Sequence, residues 1–226
     1  MVDDADASKG AIRQANEALI LGAGERVFAR AGFNGATIAQ IADEAGLPKA
    51  NLHYYFGSKA ALYRAVLART LHDWLVPMDA LQPQTEPRAA LAAYIRAKMA
   101  LSFQRPDASR VFANELLHGG PVLGDSLRGE LHGLVQRKAA VIDGWIAAGR
   151  MAPVDSTHLF FTIWAATQTY ADFDQQVRAV LGRDELTAGD HERATEHVVG
   201  LILRGCGLGQ GSAVPAASPA VQASSK

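Results

Sequence analysis

Between Lys49 and Tyr54 the sequence sets an ammonium, a carboxamide, an imidazole and a phenol almost side by side, at Lys49, Asn51, His53 and Tyr54, with the small Ala50 among them. Such side chains hydrogen-bond to base edges and phosphate oxygens, and an alanine can lie close to a base or a thymine methyl. Lys59 follows at the start of the next helical pattern, where its charge and the free backbone amides of a helix N-terminus could together hold a phosphate. These groups read DNA only if a scaffold presents them on one exposed face.

The neighbouring residues describe that scaffold. Leu19, Ile20, Ala23, Val27, Phe28 and Ala31 recur at helical spacing from about Ala11 onward, and Gly32 supplies a stop. Thr37 and Gln40, three apart, form a capping box for a short helix whose buried face is Ile38, Ile41, Ala42 and Ala45, ended by Gly46. Pro48 suits a first helical position for a helix over Lys49–Tyr55, and Ser58 caps a fourth that runs to Pro77. Two short helices joined by a glycine turn have the spacing of a helix-turn-helix, with Leu47, Leu52 and Phe56 as its buried residues. Further helical patterns cover Pro87–Gln104, Asp107–His118, Val122–Ala148, Ser156–Leu181 and Glu185–Leu203, with no strand alternation. The fold class is therefore all-α. A disordered leader is expected over 1–10, a DNA-binding domain over 11–57, a helical body over 58–206, and a disordered tail over 207–226.

Composition sets the outer bounds. The 226 residues are 49% hydrophobic and 20% charged, with a net charge of −1, which is globular and gives no hint of nucleic acid. The average conceals a gradient. Residues 9–69 carry eight bases (Lys9, Arg13, Arg26, Arg30, Lys49, Lys59, Arg64, Arg69) against four acids (Glu17, Glu25, Asp43, Glu44), whereas the leader bears Asp3, Asp4 and Asp6. A basic front on a slightly acidic body is the asymmetry of a DNA-binding module. The single Cys206 cannot form an internal disulfide, and the longest apolar run, Leu159–Ala166, is far short of the roughly 18 residues of a membrane span. A cytoplasmic protein without membrane contact is expected.

No enzyme is expected. The seven histidines show no metal-ligand spacing, so no metal and no cofactor are expected, and phosphate-loop, dinucleotide and serine-elbow motifs are absent. Glu115, Asp172 and Asp174 read as caps or ion-pair partners, and Cys206 as inert.

The run Ala36-Thr37-Ile38-Ala39-Gln40-Ile41-Ala42-Asp43-Glu44-Ala45-Gly46-Leu47, then Leu52-His53-Tyr54-Tyr55-Phe56 and Ser58-Lys59, together with Phe28-Ala29-Arg30-Ala31-Gly32-Phe33, closely resembles the N-terminal domain of TetR family transcriptional repressors. The resemblance implies a homodimer on a pseudo-palindromic operator, with Thr37, Tyr54 and Lys59 at phosphates and Lys49, Asn51 and His53 at bases or nearby backbone. It also implies a C-terminal body that dimerises and binds a small-molecule effector whose binding releases double-stranded DNA.

The body resembles one subgroup, the pyrimidine-utilisation repressors that sense uracil and thymine. The similarity lies in His72–Pro77, Tyr94–Lys98, Pro106–Phe112, Gly119–Leu123 and Ile163–Phe173. For such a ligand Trp164 and Gln168, four apart, put an indole and a carboxamide on one helical face, with Asp172 a turn further. Trp74 could form the opposite wall. The alternative is that both tryptophans are core and Gln168 lies at the dimer interface. Lys98 and Ser102, also four apart, read either as further ligand contacts or as a solvated face. Ala92 and Ala93 stand where longer polar side chains are expected in that subgroup, which bears on the identity of the ligand. Two other readings stay open: a TetR-type regulator of another pathway with a more apolar ligand, or a helical ligand-binding protein without DNA activity. The dimer is expected to be a four-helix bundle of Ser156–Leu181 and Glu185–Leu203 from each subunit.

Overall fold

The computed structural model describes residues 3–209. Their order is α1 (Asp3–Gly35), α2 (Ile38–Ala45), α3 (Lys49–Phe56), α4 (Lys59–Leu75), a 3₁₀ turn (Val76–Ala80), α5 (Pro87–Gln104), α6 (Pro106–Leu117), α7 (Gly124–Ser126), a π-turn (Leu127–Leu131), α8 (His132–Ala147), α9 (Ser156–Asp172), α10 (Asp174–Leu181) and α11 (Ala188–Gly205).

The front module forms as its caps dictate. Thr37 Oγ1 accepts from the Gln40 amide at 3.2 Å while Gln40 Oε1 accepts from the Thr37 amide at 2.9 Å, completing the capping box. Gly46 closes α2 with φ 66° and Gly57 closes α3 with φ 72°. Ile20, Ala23, Val27 and Phe28 of α1 share a core with Ile41, Leu52, Leu62 and Val66. Gly24 lets α1 and α4 cross closely, since a Cβ there would lie 3.2 Å from Val66. Two arginines of the basic front, Arg26 and Arg30, pair with Glu44 and fasten α1 to α2.

The body is built around α5, which packs on α9 and α11, while α6 contacts α1, α4 and α9. Helix α4 thus belongs to both units and leaves no linker between them.

Several boundaries differ from the sequence reading. Helix α1 begins at Asp3, within the stretch 1–10 expected as a disordered leader. Helix α1 is interrupted at Gly32, where φ 66° and ψ 174° are non-helical, before its last turn. The pattern over Ser156–Leu181 is two helices, broken at Phe173, because Arg110 takes the Ala171 carbonyl at 3.1 Å and lies 3.6 Å from Asp174, stabilising the corner. Val122–Ala148 is likewise α7, the π-turn and α8, and the last helix starts at Ala188 under a Thr187–Asp190 capping box. Residues 207–209, assigned to the tail, are held: Leu208 donates to Leu203 O and its own carbonyl accepts from Arg88. Gly207 is required there, because its φ is 69° and a Cβ would sit 2.7 Å from that of Ala152. The rest of the expected tail lies outside the described residues.

Candidate DNA-reading face and effector pocket

Helix α3 presents Lys49, Ala50, His53 and Tyr54 to solvent, with Asn51 half-buried and Leu52 turned inward at 1% exposure. Tyr54 is 75% exposed, and Tyr55 beside it accepts from the Asn16 carboxamide at 3.1 Å, which ties α3 to α1. His53 Nδ1 lies 3.2 Å from the Gly57 carbonyl. Thr37 is exposed at the mouth of α2, its hydroxyl engaged with Gln40.

Lys59 is placed differently from its expected position at a phosphate. Its ammonium donates to the carbonyls of Phe33 and Ala36 at 2.7 and 2.9 Å and stands 4.6 Å from the Phe33 ring centroid. It thereby locks the end of α1 to the start of α4. The carbonyls left open by the break at Gly32 attract the nearest cation.

In the body, Lys98 and Ser102 are each 2% exposed, so neither lies on a solvated face. The period of α5 turns them inward between α4, α6 and α9. Lys98 Nζ stands 4.0 Å from the Trp74 ring centroid, and Ser102 Oγ donates to the Lys98 carbonyl at 3.2 Å. Trp74, 8% exposed, packs on Phe112 with ring centroids 4.8 Å apart. Phe112 also lines a cleft of about 390 Å³ between α6 and α9 with Arg110, Gln168 and Asp172. Asp172 accepts from the Ser109 hydroxyl at 2.6 Å.

Burial governs the charges here. Desolvation pushes the Lys98 ammonium down to about 7, against a partial opposing pull from Asp172. Desolvation also raises the Asp172 carboxyl, opposed by Ser109, Arg110 and Lys98. The lysine and the carboxylate thus set two directed hydrogen-bonding groups beside the Trp74 ring.

Trp164 stands apart from this cluster. Its indole N–H donates to Tyr94 OH at 2.7 Å, and its ring packs on Phe160 and Phe161. Tyr94 lies one turn before Lys98 on α5. Trp74, Lys98, Gln168 and Asp172 are brought together, whereas Trp164 joins them only through Tyr94. Sequence reasoning missed Ser109, Phe112 and Tyr94 as individual site residues; the signal available was their period, which faces α6 and α5 toward α9. Larger grooves of about 640 Å³ between α5 and α11 and about 610 Å³ between α9 and α11 lack such a buried lysine and carboxylate.

Residues 20–66 match the family described as bacterial regulatory proteins, tetR family, and residues 67–209 match the C-terminal region of YcdC-like proteins. The chain is 45% identical over 194 residues to the HTH-type transcriptional regulator RutR of Escherichia coli (strain K12), spanning 84% of this chain and 90% of that protein. The chain belongs to the TetR family. The HTH-type transcriptional regulator BetI of Brucella anthropi is 34% identical over 84 residues, covering 37% of this chain and 43% of that protein. Among solved structures, a bacterial regulatory protein of the tetR family from Rhodococcus RHA1 superposes with a TM-score of 0.64 at 20% identity, over 84% of this chain and 95% of that one. AibR with isovaleryl coenzyme A and operator DNA gives 0.61 at 17% identity, over 82% and 97%. Both share the TetR fold. Among the described residues no helix is long and apolar enough to cross a membrane.

Proposed function

We propose that the protein is a cytoplasmic, homodimeric repressor of nucleobase or related nitrogen catabolism, with two α3 helices on a pseudo-palindromic operator and release by uracil or thymine. The observation behind the effector is the buried group of Trp74, Lys98, Ser109 and Asp172, an aromatic wall with a cationic and an anionic hydrogen-bonding partner. A planar pyrimidine can stack on the indole, accept at a carbonyl from Lys98 and donate a ring N–H to Asp172 or Gln168. Entry is through the α6–α9 cleft past Phe112.

The DNA reading rests on the exposed donors of α3 and on the regulator relatives. Lys49, Asn51 and His53 face bases or nearby backbone, and Tyr54 and Thr37 face phosphates. The backbone amides at the start of α4 serve the phosphate assigned to Lys59, whose side chain secures the helix. The dimer face is α9 with α11, where Phe161 and Leu201 are 49% and 56% exposed. Helix α10 lies outside that bundle, so the bundle is shorter than the helices read from sequence.

Regulation requires that effector and operator prefer different arrangements. Typical couplings of about 1 to 3 kcal/mol correspond to roughly 5- to 150-fold changes in affinity. The test is an operator titration against a panel of nucleobases and their degradation products. Uracil or thymine is expected to lower operator affinity within that range; an effect confined to an unrelated metabolite rejects the pyrimidine assignment. Gel filtration of a monomer rejects the two-half-site arrangement.

A further inference from the structure

At the corner between α5 and α6, Arg105 reaches both α1 and α4 with its side chain. Its non-helical backbone, φ −132° and ψ 58°, aims the guanidinium back at the front module. Nε and Nη2 donate to the two carboxylate oxygens of Glu25 on α1, and Nη1 donates to Asp73 on α4. The Glu25 side chain is 9% exposed and that of Arg105 21%, so the contact is largely removed from solvent screening. Arg69 also lies 3.8 Å from Asp73 along α4.

Each arm leads to a different working part. Asp73 directly precedes Trp74, whose indole faces Lys98. Arg105 itself ends the helix of Lys98 and Ser102 and starts the helix of Ser109 and Phe112. Glu25 sits on α1 next to Gly24, where α1 and α4 cross, and next to Arg26, which grips Glu44 of α2. A guanidinium holds two carboxylates at a fixed angle, so α4 cannot slide past α1 without losing one arm. A lysine has the charge without the fork.

We infer that Glu25, Arg105 and Asp73 are the positioning residues that couple the effector pocket to the DNA-reading module. This rests on the effector reading above. The three set how strongly effector and operator binding oppose one another, and none of them lines the pocket or the α3 face. Coupling of this kind is a free energy shared by two sites and is the same read from either side. The test therefore measures the coupling itself.

Operator affinity of the full chain is measured with and without saturating uracil for the wild type, Asp73→Asn and Arg105→Lys. The operator is DNA selected by the wild-type protein from a random pool. Asp73→Asn keeps the Glu25–Arg105 contact and Arg105→Lys keeps the charge, so both are designed to fold; matching melting curves check this. The uracil-induced change in operator affinity is expected to fall at least about threefold in both, with uracil affinity of the free protein within about twofold of wild type. An unchanged coupling factor in both variants overturns the inference. A second arm needs no effector: operator DNA is expected to alter hydrogen exchange of the amides around Trp74 and Lys98 in the wild type and not in the variants. If uracil leaves wild-type operator affinity unchanged, the pyrimidine reading fails and this arm decides the coupling by itself. Operator-induced exchange changes that persist in both variants overturn it.

Discussion

The α3 face and the body pocket use similar polar groups in opposite ways. On α3 the donors are solvated and held by a helix whose only deeply buried residue is Leu52, so function depends on where caps and packing place a surface. Behind the α6–α9 cleft, Lys98 and Ser102 are withdrawn from water, and burial lowers the lysine's hold on its proton. An exposed site can be changed one residue at a time with local effect. A buried polar site ties recognition to stability, since every group in it must be satisfied by protein or by ligand.

That contrast can be broken by substitution. Lys98→Met is expected to weaken uracil binding by roughly 5- to 150-fold, as leaving a buried polar group unsatisfied costs about 1 to 3 kcal/mol. Its operator affinity without uracil stays within about twofold of wild type; a comparable loss on the DNA side dissolves the separation of the two sites. Asn51→Ala is expected to do the reverse. Operator affinity falls roughly 5- to 150-fold with relaxed sequence preference, following about 1 to 3 kcal/mol for a well-placed base contact, and calorimetric uracil affinity is preserved.

A third consequence concerns pH. Because burial takes Lys98 from its ordinary 10.5 down to about 7, the unfolded chain holds a proton between those values that the folded chain lacks. Stability contributed at this site therefore rises with pH across that window. Denaturant titrations of the wild type should show this rise and those of Lys98→Met should lack it; parallel curves contradict the burial account. Smallest is the cap. Thr37→Ala is expected to cost about 1 kcal/mol of stability, and to weaken all DNA sequences alike if its hydroxyl also meets a phosphate.

The two regions also differed in how much could be read beforehand. The front module is governed by local rules: a Thr–Gln capping box, glycines at helix ends and apolar residues at helical spacing fixed α2 and α3 almost to the residue. The pocket depends on which helix faces which. Period alone placed Lys98 and Ser102 on one face of α5, but their burial follows from packing against α4, α6 and α9. Likewise the bend at Phe173 arises from Arg110, more than sixty positions away in sequence, which no helical pattern in Ser156–Leu181 could announce. The placement of Lys59 depends likewise on a distant element, since the carbonyls it meets belong to the end of α1 and the turn after it.

A reciprocal titration reads the proposed linkage between the buried cluster and the exposed α3 face from both sides. Uracil is titrated calorimetrically into the full-length protein, free and saturated with its operator. Uracil affinity should be lower for the operator-bound protein, by the same factor by which uracil lowers operator affinity. Equal uracil affinity in the two titrations contradicts the account.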